Sequence, residues 1–208
     1  MKQVDIYSVV RSLRREVGKI LTDFRYECPE GTATCEHIEV RVRALCVIWL
    51  HDVWVRFNRR LIVESARGRP RTVTGHRLSP APGVASPQSV ILQLRRLNPK
   101  KPPWWEPRWG DPTECIDAAR RLRVTNLSTI SAGLGSTPSP VDDLRLTRNF
   151  YAHRGQETAH DVIQIIRRNG LTGIQHADQL IVAPIAPGML LFENWAFDLL
   201  VIAEAAVQ

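Results

Sequence analysis

Apolar positions recur at helical spacing over most of this chain, and that period predicts its elements. Between Val4 and Tyr26, residues Ile6, Val9, Val10, Leu13, Val17, Ile20, Leu21 and Phe24 form one stripe, while Arg11, Arg14, Arg15 and Lys19 lie mostly off it. This is an amphipathic helix. Cys28-Pro-Glu-Gly-Thr32 then reads as a stop and turn, because Pro29 and Gly31 interrupt the period. The longest unbroken pattern runs from about Cys35 to Ala66, with Ile38, Val42, Leu45, Trp49, Val53, Phe57 and Leu61 at three-to-four spacing. Val40, Val47, Leu50, Trp54 and Ile62 widen the apolar arc. So wide an arc packs on more than one side, at the centre of a bundle or also against a second protomer. His51 falls within it and is expected to be a satisfied core or boundary histidine.

The pattern breaks from Arg67 to Gly110, a segment that holds eight of the 14 prolines and four glycines. Most of it reads as loop. Its exception is Ser89 to Leu97, an apolar segment that fits either a strand or two helical turns. Asp111-Pro112 is a helix start, with Asp as the cap, Pro at the first helical position and Glu114 in the first turn. That helix is expected to continue to about Leu127, and Ser128 to Pro138 to form a Ser-, Thr- and Gly-rich loop. Ser139-Pro140 opens the next helix, where Asp142 and Asp143 read as capping and dipole residues. The run from Val141 to Arg154 contains no Gly or Pro, and Gly155 is expected to kink or end it. A further helix follows from Ala159 to Arg168, stopped by Asn169-Gly170. Thr172 to Ala186 fits a small hairpin or an irregular packed loop, and the mostly apolar Met189 to Val207 closes the bundle. The expected fold is all-α: one helical domain over residues 1–208, with the basic, Pro-rich insertion 67–110 inside it and room for one short β-hairpin.

Composition narrows the class. Hydrophobic residues at 44% and charged residues at 24% are ordinary for a soluble globular protein. The formal charge of +7 and a pI near 9.7 point to an anionic partner. The charge is concentrated. Arg67, Arg69, Arg71, Arg77, Arg95, Arg96, Lys100, Lys101 and Arg108 are opposed in 67–110 only by Glu106, a net +8, so the remainder is close to neutral. The same segment carries Pro102-Pro-Trp-Trp-Glu-Pro-Arg-Trp109. Cations interleaved with flat rings suit single-stranded nucleic acid. The expectation for Trp104, Trp105 and Trp109 is nevertheless inward packing that anchors a strap. For the basic residues, RNA contact and ordinary solvation both remain open.

The four cysteines (Cys28, Cys35, Cys46 and Cys115) form no C-x-x-C pair and show no ligand spacing with histidine. Cys46, among apolar neighbours, reads as a buried thiol. No metal site or cofactor is expected, and Gly133-Leu-Gly135 lacks the rest of a phosphate loop. Without a signal peptide, the reading is a reducing cytoplasm. The apolar run Leu45 to Leu50 is too short to cross a bilayer, so no membrane role is expected.

Candidate chemistry gathers in Leu144-Arg-Leu-Thr-Arg-Asn-Phe-Tyr-Ala-His153. On a helix Asn149 and His153 share a face, and Arg148, about 140° from His153, has a side chain long enough to lean back. A guanidinium offers a donor fork suited to phosphate, and imidazole titrates near neutrality. The trio is aimed at a phosphodiester.

Arg148-Asn149-x-x-x-His153 resembles the R-N-x-x-x-H form of the R-x(4–6)-H motif of the HEPN superfamily, small helical proteins that include RNA-cutting toxins and defence nucleases. The resemblance rests on six residues and on their place in a late helix. It implies a bundle of four to five helices and a composite active site where two motif helices of a homodimer face each other. It also implies metal-independent cleavage of RNA that leaves a 2′,3′-cyclic phosphate. By position, Arg148 would hold and neutralise the scissile phosphate, His153 would transfer a proton, and Asn149 would orient the phosphate or the motif. Arg154, with Arg67, Arg69, Arg71, Arg95, Arg96, Lys100 and Lys101, would bind RNA. The chain departs from the pattern at Gly155, where many family toxins carry Tyr; Tyr151 and His160 are kept as secondary candidates. A toxin of this kind would have an antitoxin or regulatory partner. The alternative is a non-catalytic helical module that binds RNA or protein through the basic insertion.

Overall fold

The computed structural model describes residues 5–27, 37–68, 75, 77–136, 138–174 and 176–208. The turn expected at Cys28–Thr32, and Arg69, Arg71 and His76, lie outside them. Among the described residues there are nine α-helices and one antiparallel pair of short strands, so the fold is all-α with a small hairpin. None of the helices described is long and apolar enough to cross a membrane. The chain groups into two compact units. One comprises Met1–Arg14, Trp54–Pro138 and Leu200–Gln208; the other comprises Arg15–Val53 and Ser139–Leu199. Helices α1 (Tyr7–Glu27), α2 (His37–Ala66) and the last, α9 (Leu191–Ala205), each give residues to both.

In the first unit, Ile6, Val9, Val10 and Leu13 of α1 are buried, as are Trp54, Phe57, Leu61 and Ile62 of α2. The segment that fitted strand or helix is α3 (Pro87–Arg96). Its start explains the outcome: Ser86 and Ser89 form a reciprocal capping box, and Pro87 stands at the first helical position. Val90, Ile91 and Leu94 are its buried face. Helix α4 (Pro112–Leu122) begins as expected, the Asp111 carboxylate accepting from the Thr113 and Glu114 amides at 2.9 and 3.3 Å. It stops five residues short of the expected end. Arg123 turns left-handed at φ 55°, and the Val124 amide reaches back to the Ala119 carbonyl at 3.2 Å. Val124 is buried, and that contact closes the helix as a Schellman cap.

The expected Ser- and Gly-rich loop is instead α5 (Leu127–Gly135). Ile130 and Leu134, four apart, are both buried, and Gly133 lets the backbone approach the chain's last turn. A Cβ at Gly133 would stand 2.3 Å from the Ala206 amide nitrogen. Packing of this closeness outweighs weak helix propensity.

In the second unit, α1 buries Val17, Ile20 and Phe24, and α2 buries Cys46, Val47 and Leu50. Phe24 meets Phe192 of α9 with ring centroids 4.4 Å apart. Beside them the buried Glu193 carboxylate accepts from Arg25 Nε at 2.6 Å and from the Leu190 amide at 3.0 Å. Helix α6 (Pro138–His153) starts two residues earlier than expected, which moves Asp142 and Asp143 out of its first turn. Asp143 is no dipole residue. It is buried, and its carboxylate pairs with Arg168 and accepts from Asn169 Nδ2 at 3.4 Å, holding the end of α7 (Gln156–Arg168) to α6.

The break after α6 falls at Arg154, which is left-handed at φ 45°; Gly155 has an ordinary φ of −90° and caps α7. The hairpin pairs β1 (Pro184–Ala186) with β2 (Met189–Leu190) across Pro187-Gly188. It therefore takes its second strand from the stretch expected to open the last helix. The short α8 (Ala177–Leu180) precedes it.

Candidate active site

Helix α6 presents Arg148 and Asn149 half-buried and carries His153 at its exposed last position. Arg148 Nη1 donates to Asn149 Oδ1 at a long 3.5 Å. Its Nε is buried and has no hydrogen-bond partner among the described residues. Arg145, one turn earlier, is held by Asp142 at 3.3 Å. The His153 side chain has no hydrogen bond or ion pair among the described residues, and neither has that of Arg154, which is exposed. The fold therefore brings Arg148 to Asn149 but leaves His153 reaching into solvent from the helix end.

A residue outside the expected set joins Arg148. His51 of α2, with only 14% of its side chain exposed, sits near enough to Arg148 and Arg145 to feel both charges. Burial first, and then Arg148, lower its pKa below the ordinary imidazole value; Asp52 opposes the shift weakly, its Oδ1 3.9 Å from Nδ1. The shift favours the neutral imidazole, and among the described residues its Nδ1 has no hydrogen-bond partner. A neutral imidazole can accept a proton, and a guanidinium near it can hold an anion. As expected, the histidine lies at the boundary of the core. What the sequence could not carry is its neighbour, since α2 and α6 are far apart along the chain. The only local signal is one polar residue interrupting an apolar arc.

The secondary candidates lie elsewhere. Tyr151 is buried on another face of α6, where burial and the Asp178 carboxylate push its phenol well above the ordinary value. Arg43, fully buried in α2, counters that shift only weakly. Tyr151 therefore packs α6 and does not reach solvent. His160 is exposed on α7 with its Nε2 3.0 Å from Gln164 Nε2, a pairing along its own helix.

The basic insertion belongs to the first unit, and its cations differ sharply. Arg67 is held by Glu64 at 2.8 Å with 9% of its side chain exposed, so it closes α2 and is not open to RNA. Arg95 Nε donates to the Trp105 carbonyl at 2.9 Å. Arg108 pairs with Glu114 at 2.6 Å and Asp111 at 3.2 Å. Arg96, Lys100 and Lys101 remain exposed. The tryptophans also divide. Trp109 is buried as expected, with its indole N–H donating to Glu106 Oε2 at 3.0 Å and its carbonyl accepting from Asn58 Nδ2 at 2.9 Å. Trp105 is half-buried, and Trp104, contrary to expectation, is 77% exposed.

Among the described residues, no group of three or more His, Cys, Asp or Glu side chains could hold a metal ion. No protein family, no curated protein and no solved structure matches this chain, so its function is read from its own residues.

Proposed function

We propose that the chain is a metal-independent endoribonuclease of the toxin or phage-defence kind, acting as a homodimer. The observation that carries this reading is the pairing of Arg148, whose buried Nε lacks a partner, with the neutral His51 imidazole, on the helix that also bears Asn149 and His153. In the reaction, the 2′-oxygen attacks the adjacent phosphorus and the bond to the 5′-oxygen breaks, leaving a 2′,3′-cyclic phosphate and a free 5′-hydroxyl. An imidazole must take the 2′-hydroxyl proton, and an imidazolium must give one to the leaving oxygen. His51 has the neutral form suited to the first step, and His153 has the access needed for the second. Arg148 neutralises the phosphate as charge develops, and Asn149 orients the guanidinium. A positioned acid or base is worth roughly 10²–10⁴-fold, and fixed donors at the developing charge a comparable amount. Leu45 and Trp49, exposed four residues apart on α2 in the same unit, are an apolar face that a second copy would cover. A regulatory or antitoxin partner is part of the proposal.

The test is cleavage of total bacterial RNA in EDTA by the wild type and by His153→Ala and Arg148→Ala. The expected result is discrete fragments ending in cyclic phosphate from the wild type, with cutting reduced at least about a hundredfold in each variant. Cutting at the wild-type rate by either variant would reject the assignment. The second reading, a non-catalytic RNA-binding module, is favoured by one observation, the exposed Trp104 beside Lys100 and Lys101. It predicts RNA retention with no fragments from any variant.

A further inference from the structure

The strap after α3 is built from turns that leave one ring outside. Asn98 to Lys101 closes through the Lys101 amide on the Asn98 carbonyl at 3.0 Å, and Pro102 to Trp105 through the Trp105 amide on the Pro102 carbonyl at 2.9 Å. Pro103 occupies the second position of that turn, where its fixed φ pre-organises the backbone. Trp104 occupies the third. On either side the strap is fastened to the body of the unit. Arg95 grips the Trp105 carbonyl, Arg59 Nε donates to Glu106 Oε2 at 3.1 Å, and the buried Trp109 shares the same carboxylate oxygen. Burial opposes ionisation of Glu106, but the bonds from Trp109 and Arg59 outweigh it and hold the carboxyl below its usual range. Glu106 is therefore a spent charge. The pinned turn still holds a large indole in water, which apolar burial would normally prevent.

The charges that precede that indole in the chain have one sign. Residues 92–105 contain Arg95, Arg96, Lys100 and Lys101 and no acid. Lys101 Nζ stands 5.7 Å from the Trp105 ring centroid, so the half-buried indole steers its cation. Lys100 and Arg96 are exposed, with no acidic partner among the described residues. A solvent-facing ring on a pinned turn, flanked by exposed cations, matches an unpaired nucleotide, whose base stacks while its phosphates meet the ammonium groups. A duplex, with its bases already stacked on one another, offers the cations phosphates but gives the ring nothing.

We propose that Trp104 is a stacking platform for an unpaired base, with Lys100, Lys101 and Arg96 taking the flanking phosphates, so that the chain selects single-stranded RNA. This rests on the RNA-directed reading above, but not on cleavage. The experiment uses the full chain and a labelled twelve-nucleotide 2′-O-methyl oligouridylate, which lacks the attacking hydroxyl and cannot be cut. The same strand annealed to its complement is the control. Trp104→Ala is expected to weaken the single strand about tenfold, Trp104→Phe to retain most of the affinity, and the duplex to change less than about twofold. Lys100→Gln and Lys101→Gln should each flatten the dependence of log affinity on log salt by about 0.7 for the single strand. Unchanged single-strand affinity in Trp104→Ala, or equal loss on strand and duplex, overturns the proposal. Failure of the nuclease assignment with these results intact would leave the platform standing, and the reverse outcome would remove only the platform.

Discussion

The strap and the motif helix handle positive charge in opposite ways. At the strap, Arg59 of α2, Arg95 of α3 and the strap's own Arg108 each donate to a carboxylate or a carbonyl, and these bonds fasten it. On α6, Arg148 has a buried Nε that nothing accepts from, beside a buried His51 Nδ1 in the same condition. Leaving a buried polar group unsatisfied costs roughly 1–3 kcal/mol. A protein carries that cost where a ligand completes the bonds, whereas a satisfied network is what holds a scaffold together. The strap is thus fastened architecture that displays a few exposed groups, whereas the α6 face keeps a guanidinium nitrogen unpaired, which is the feature the proposed anion site uses.

Three predictions probe that contrast. The largest effect is in the strap. Trp109→Ala removes a buried ring together with its bond to Glu106, and should cost about 3–5 kcal/mol in urea unfolding. Trp104→Ala, five residues earlier, should fall within about 0.5 kcal/mol of wild type. Similar losses for both would mean that Trp104 is part of the scaffold.

A smaller effect of opposite sign is expected on the motif helix. Arg148→Met keeps the aliphatic stem and removes the unsatisfied nitrogen, so stability should hold or rise by about 1 kcal/mol while RNA cutting is lost. Destabilisation beyond about 2 kcal/mol would show that the guanidinium is structural, and would end the contrast.

The smallest effect is in pH. The folded state lowers the His51 pKa below its unfolded value of about 6.5. Above that pH both states are neutral and the residue contributes nothing to pH dependence. As pH falls through it, the unfolded chain binds a proton first and stability is lost, until the lowered folded pKa is passed. His51→Gln should therefore be less acid-sensitive than wild type between about pH 7.5 and about pH 5.5 when unfolding is followed at each. Parallel losses in the two proteins would place the imidazole in an ordinary solvated setting.

Much of the fold was legible because its signals are local. The stripe of α1 and the wide arc of α2 are read from residues three and four apart, and the starts of α3 and α4 from Ser86-Pro87 and Asp111-Pro112. The errors have longer-range causes. Helix α5 forms because Ile130 and Leu134 are buried and Gly133 packs against the chain's last turn, which a window over Ser- and Gly-rich residues does not contain. Asp143 looked like a dipole residue because Arg168 and Asn169, its partners, lie one helix further on. At the candidate site the pair Arg148–Asn149 was legible as neighbours, and His153 as a residue on their helix.

By itself, then, the sequence determined the helical class, most of the capped helix starts, the concentration of positive charge in 67–110 and the presence of Arg148, Asn149 and His153 on one helix. Period and capping act within about four residues, so they survive without any knowledge of partners. Only the tertiary structure decided which of two tryptophans in one strap is core and which is surface, which arginines are already spent, and that His51 lies beside Arg148 with its proton affinity lowered. Burial and charge proximity depend on which distant segments meet, and that is settled by the packing of the whole unit.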